Sequence, residues 1–97
     1  MIGKNSLYKG SASYEHEKGV SDFLKQLSQK GWKTINLKRK SPDGIAIKNN
    51  EIVAVEVITY KSNKTRYNRG NKARQKKEDY FMFDDVFVKF INRNKEV

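Results

Sequence analysis

The chain has 97 residues, no cysteine and one histidine, which excludes disulfides, thiolate metal centres and a structural zinc site. Lys and Arg number 21 against 11 Asp and Glu, for a net charge of +10; an excess of that size points to a large anionic partner, nucleic acid before a membrane surface. No apolar run approaches the roughly 20 residues of a membrane span, and the first residues lack the apolar stretch of a leader, so the expectation is one intracellular domain over residues 1–97.

Residues 1–13 are polar and rich in Gly and Ser and read as a flexible N-terminal arm. Ser13 is placed to cap a helix starting near Tyr14, with Glu15 and Glu17 in its first turns, where the helix dipole favours negative charge. Val20, Phe23, Leu24 and Leu27 recur at helical spacing, and Gly31 is placed to end the helix. His16, a lone histidine near a helix start, reads as a surface residue. Alternation from Trp32 to Leu37 predicts a first strand, with Trp32 packed on the helix. Asp43 to Lys48 predicts a second strand. Asn49-Asn50 is a two-residue turn signal, and the Val- and Ile-rich run Glu51 to Ile58 predicts a central strand, apolar on both faces.

Residues 59–72 are polar and basic and read as a loop, followed by a helix from about Asn71 to Phe81 and a last strand from Val86 to Phe90. The order is therefore helix, three strands, helix, strand: an α/β fold with a mixed central sheet flanked by helices. Tyr80, Phe81, Phe83, Phe87 and Phe90 read as one aromatic cluster, in the core or at a dimer interface.

A two-residue turn has a geometric consequence. Lys48 then faces Glu51, Ile47 faces Ile52, Ile45 faces Ala54, and Asp43 faces Glu56. Side chains alternate with period two, so Asp43 and Glu56 share a face, with Cβ atoms roughly 4.5–5.5 Å apart. Two carboxylates so close repel without a cation, and a hard divalent ion with oxygen ligands is the natural bridge. Against this stands the reading of Asp43 as a turn residue after Pro42 and of Glu56 as a carboxylate paired with a lysine. The position of Glu56 inside an apolar run argues for the special role, since an unpaired buried carboxylate is costly.

The run Lys40-Ser41-Pro42-Asp43-Gly44-Ile45-Ala46-Ile47, followed after eight residues by Glu56-Val57-Ile58, resembles the PD-(D/E)XK nuclease superfamily. The likeness is greatest to small archaeal and viral Holliday junction resolvases and minimal phage nuclease domains. It covers about residues 14–90 and implies a restriction-endonuclease-like core. It also implies a Mg²⁺- or Mn²⁺-dependent endodeoxyribonuclease, cutting branched or junction DNA, with Asp43 and Glu56 as metal ligands. Glu17 would be the acid from the preceding helix, with Glu15 as fallback. The chain departs from the pattern at position 58, where Ile58 stands in place of the motif lysine. Lys76, then Lys72, then Lys61 are the candidates to replace it.

From Lys61 to Lys77 there are eight basic residues and no acid: Lys61, Lys64, Arg66, Arg69, Lys72, Arg74, Lys76 and Lys77 are the expected contacts to DNA phosphates, which position a backbone without reading its sequence. Gln75 within this run reads as solvent-facing. A subunit this small holds one site, so cutting two strands implies a homodimer. The alternative to an enzyme is an inactive, nuclease-shaped DNA-binding module that has lost the motif lysine.

Overall fold

The computed structural model describes residues 11–38, 40–60 and 63–92, the side chains of 11–13 and 63–69 excepted. The chain forms α1 (Ser11–Gln29), β1 (Lys33–Asn36), β2 (Gly44–Lys48), β3 (Glu51–Tyr60), α2 (Asn63–Asp79) and β4 (Asp85–Asn92). The four strands lie in the order β1-β2-β3-β4. β2 is antiparallel to β1 and β3, and β4 runs parallel to β3 after the crossover through α2. The expected α/β class and mixed sheet are present. No described helix is long and apolar enough to cross a membrane.

α1 packs one face on the sheet. Val20, Leu24 and Leu27 are buried against Ala46, Val55 and Val57, with Phe23, Trp32, Phe87 and Ile91 closing the cluster. The helix ends at Gly31, whose φ of 98° suits a residue without Cβ. There Gly31 N donates to Ser28 O at 3.1 Å and Trp32 N to Leu27 O at 3.1 Å, the paired bonds that satisfy the last carbonyls of a helix. Trp32 precedes β1 rather than opening it, and its ring meets Phe87 edge-on at 5.3 Å.

The Asn49-Asn50 turn forms as expected. Both residues have positive φ, 51° and 68°, as a tight two-residue hairpin requires and Asn tolerates. Lys48 therefore pairs with Glu51, Ile47 with Ile52, Ile45 with Ala54 and Gly44 with Val55. Ala46, Val53, Val55 and Val57 face α1, and Ile52, Ala54, Glu56 and Ile58 face the other way.

Several expectations are corrected. α1 begins at Ser11, so Ser13 lies inside it and no acid stands in its first turn; the dipole argument for Glu15 and Glu17 lapses. Of the expected arm, residues 1–10 lie outside the described residues, and 11–13 are helical. α2 begins at Asn63, not near Asn71, so most of the basic run is helix rather than loop. It has no apolar face to announce it: Ala73 is its one buried apolar residue among those described. The aromatic residues form no single cluster. Phe87 joins the core, Tyr80 pairs with Phe83, Tyr60 with Phe90, and Phe81 is exposed.

Candidate active site

The site lies where β3 outruns β2. In an antiparallel hairpin closed by two residues, alternate pairs exchange both backbone hydrogen bonds. Lys48–Glu51 is such a pair, then Ala46–Val53 and Gly44–Val55. The next would be position 42 with Val57, but residue 42 is proline and has no N–H to give. Side chains take over both groups of Val57. Its N–H donates to Asp43 Oδ2 at 2.8 Å. Its carbonyl accepts from His16 Nε2 at 2.9 Å.

His16 also stands 3.2 Å from Asp43 Oδ2 through Nε2, and its Nδ1 is 3.5 Å from Glu17 Oε2. α1 can come this close because Gly19 has no Cβ; one would meet the end of Ile91 and approach Val57 Cγ1 to 3.3 Å. The reading of His16 as a surface residue is therefore overturned. A signal was present, since His16 precedes Val20 by four residues and Leu24 by eight, on the buried face of α1.

Continuing the register places Asp43 opposite Glu56. Both are buried, at 8% and 5% exposure, and they are the only buried charged residues among those described. Glu56 Oε2 has no hydrogen-bond partner. Among the described residues Lys76 Nζ is its ion-pair partner, at 3.8 Å, reaching across from α2. The two acids are driven apart electrostatically. Burial pushes Glu56 above its ordinary pKa and the charge of Asp43 adds to this, against Tyr80 and Lys76, which favour the carboxylate. Burial pushes Asp43 upward too, but the hydrogen bonds from His16 and Val57 N–H outweigh it and hold Asp43 below its ordinary value. The Asp43 hydrogen bond is also the main cause that lifts His16 to about 9, against the opposing effect of burial. At neutral pH the pair His16–Asp43 is thus an imidazolium and a carboxylate.

A cleft of about 430 Å³ opens on these groups, and its wall includes His16, Glu17, Lys40, Ser41, Lys72 and Lys76 beside both acids. The chain thus brings Asp43, Glu56, Lys76 and Lys72 together. Ile58, at the motif-lysine position, is buried and apolar. Glu17 reaches the cleft wall but rests against His16, and Glu15 instead lines a separate groove between α1 and β4. Arg74, Lys77 and Gln75 are exposed; Arg74 bonds Asn71 and Gln75 bonds Asp79. Lys61 and the side chains of Lys64, Arg66 and Arg69 lie outside the described residues.

The donor set suits a hard cation in part. Two adjacent carboxylates, one with an orphaned buried oxygen, match the way Mg²⁺ is held by one or two acids plus waters and substrate phosphate. A closed protein cage is not formed: among the described residues no three His, Cys, Asp or Glu side chains are grouped to hold a metal. Comparisons with family models, curated proteins and solved structures return no match.

Proposed function

We propose that this chain hydrolyses phosphodiester bonds of DNA with the help of a divalent metal ion, branched DNA being the substrate class the sequence resemblance suggests. The observation that carries the reading is the buried pair Asp43 and Glu56, with Glu56 Oε2 lacking a hydrogen-bond partner at the wall of a lysine-bearing cleft. A buried carboxylate oxygen with no hydrogen-bond partner, offset only by Lys76 at 3.8 Å, is costly, and a ligand that it binds offsets that cost.

Asp43 and Glu56 would hold the Mg²⁺ or Mn²⁺ ion, which when bound lowers the pKa of water and neutralises charge at the scissile phosphate. His16 and Val57 N–H fix the rotamer of Asp43 and keep it ionised. Lys76 would stand in for the motif lysine from a different element, its ammonium 3.8 Å from Glu56 Oε2 and placed to stabilise charge developing on the phosphate. Lys40 and Lys72, at the cleft wall, grip the neighbouring phosphates.

A second reading is favoured by Ile58 and by the lack of a third grouped metal donor among the described residues: a DNA-binding module without hydrolysis. One experiment separates the two. Supercoiled plasmid and a four-way junction are incubated with the protein in Mg²⁺, Mn²⁺ or EDTA, beside Asp43→Ala. Cleavage that needs metal and is lost in Asp43→Ala supports the enzyme. Binding without cleavage in every metal, unchanged by EDTA and by Asp43→Ala but weakened by salt, overturns it in favour of the module.

A further inference from the structure

β3 continues past the end of its hairpin partner, and its backbone groups there have a known direction. The pairs Lys48–Glu51, Ala46–Val53 and Gly44–Val55 turn the N–H and C=O of odd-numbered β3 residues toward β2. Even-numbered residues turn to the other edge. Ile52 does so: its N–H donates to Asp84 Oδ2 at 2.6 Å, and its carbonyl accepts from Asp84 N at 2.9 Å. Val57 keeps the alternation, with Asp43 and His16 serving its two groups in place of β2. Thr59 is the next odd residue. β3 runs to Tyr60, but the ladder with β2 ends at Gly44. The N–H of Thr59 therefore points to the side that β2 has left.

The register, continued, would set Lys40 opposite Thr59. The two instead line the same cleft with no backbone bond between them. Among the described residues no hydrogen bond takes up Thr59 N–H. The cleft is thus the gap that opens where the two strands of the hairpin part at Pro42. A peptide N–H is an obligatory donor, and here its acceptor must come from solvent or from a ligand. Three features say which ligand. The donor lies about 6.6 Å beyond Val57 N–H by strand rise, and within Thr59 the N–H is nearer the acids than the carbonyl, which lies toward Tyr60. Lys40 and Lys72 line this cleft and make no ion pair among the described residues, so the site favours an anion. A docking peptide strand needs a row of alternating donors and acceptors, whereas one anionic oxygen needs a single donor.

We propose that the backbone N–H of Thr59 binds a phosphate oxygen of the DNA backbone beside the carboxylate pair, the substrate strand taking the place that β2 leaves. The proposal rests on the reading of the chain as a DNA-binding protein and not on hydrolysis. A neutral backbone donor fixes the strand's position and displaces no counterion, so it differs from the lysines in its response to salt.

The test is amide hydrogen exchange of the isotope-labelled full chain, read by NMR in EDTA at low salt, with and without a short DNA duplex. In the free protein Thr59 N–H should exchange faster than the N–H of Val57, held by Asp43, and of Ile58, turned to β4. DNA should slow the exchange of Thr59 by about tenfold, as a hydrogen bond to a charged acceptor does. Thr59→Pro removes the donor and points its ring into the cleft. It should keep the circular dichroism spectrum and lower DNA affinity about tenfold, with the slope of affinity against salt unchanged. Lys72→Met should reduce that slope by about one, and Thr59→Val, which keeps the N–H, should bind like wild type. Should Thr59→Pro fail to fold, the exchange of the wild-type chain decides alone. DNA bound with the Thr59 amide unmoved overturns the proposal and leaves the DNA reading standing. So does a Thr59 amide already protected in the free chain, or a loss in Thr59→Val equal to that in Thr59→Pro, which would give the contact to the hydroxyl. No binding of DNA at low salt overturns the proposal and the DNA reading together.

Discussion

Replacing Glu56 by Gln should stabilise this protein while disabling it. The wild-type carboxylate is buried, one oxygen has no hydrogen-bond partner, and Asp43 faces it across the hairpin. An unsatisfied buried polar atom costs about 1–3 kcal/mol. Gln is nearly isosteric, removes the charge, and offers an amide N–H₂ that can donate toward Asp43. The expected gain in metal-free buffer at pH 7 is therefore about 1–3 kcal/mol, and each kcal/mol raises the melting temperature of a domain this size by about 4–8 °C. The sign with pH follows from the raised pKa of Glu56 in the folded state. Stability tied to that proton is fully present below the ordinary value of 4.5 and is lost as pH rises through the folded-state value. Gln suffers no such loss, so its advantage should be small near pH 4 and grow toward neutrality. Thermal melts of both proteins in EDTA across this range measure it. A Glu56→Gln protein that melts at or below wild type at pH 7 would refute the reasoning, as would an advantage that does not shrink in acid. Adding Mg²⁺ extends the test: wild type should gain stability as the ion binds the folded state alone, and Glu56→Gln should gain little.

Other expectations follow from the same geometry. His16→Ala removes the cation beside Asp43 and the donor to Val57 O; a histidine raised from 6.5 to about 9 corresponds to roughly 3 kcal/mol, and we expect a loss of about 2 kcal/mol because the ring is partly exposed. That loss should be full below pH 6.5 and fade as pH rises through 9, and urea titrations at several pH values check it; a pH-independent difference contradicts the ion pair. Lys76→Met should slow cleavage by about a hundredfold while lowering DNA affinity only modestly and reducing its salt slope by about one, as single-turnover rates and binding titrations would show; equal losses in both would mean that Lys76 only holds the backbone. Gly44→Ala would push a Cβ to 2.9 Å from Ile35 O and 3.1 Å from Leu24 Cδ1, and urea unfolding should show a loss of about 1–3 kcal/mol.

Local patterns in the sequence determined the face of α1 that packs, the end of that helix at Gly31, and the register of the β2–β3 hairpin. Each depends on residues close in the chain: a 3.6-residue apolar period, a glycine that accepts positive φ, and two asparagines that do the same. Because side chains alternate strictly along strands, that register also placed Asp43 opposite Glu56 before any tertiary contact was known. The start of α2 was not legible, since a helix without an apolar stripe has no period to detect, and Gly70 looked like punctuation although nothing lies near its Cβ position. The tertiary structure alone decided the rest. It set His16 on Val57 and Asp43, because Gly19 lets α1 approach the sheet; it carried Lys76 to Glu56, because the crossover to a parallel β4 lays α2 over that end of β3; and among the described residues it left Ile35 and Ile52 exposed. These are contacts between segments far apart in sequence, set by which element packs where, and no local period or turn signal encodes them.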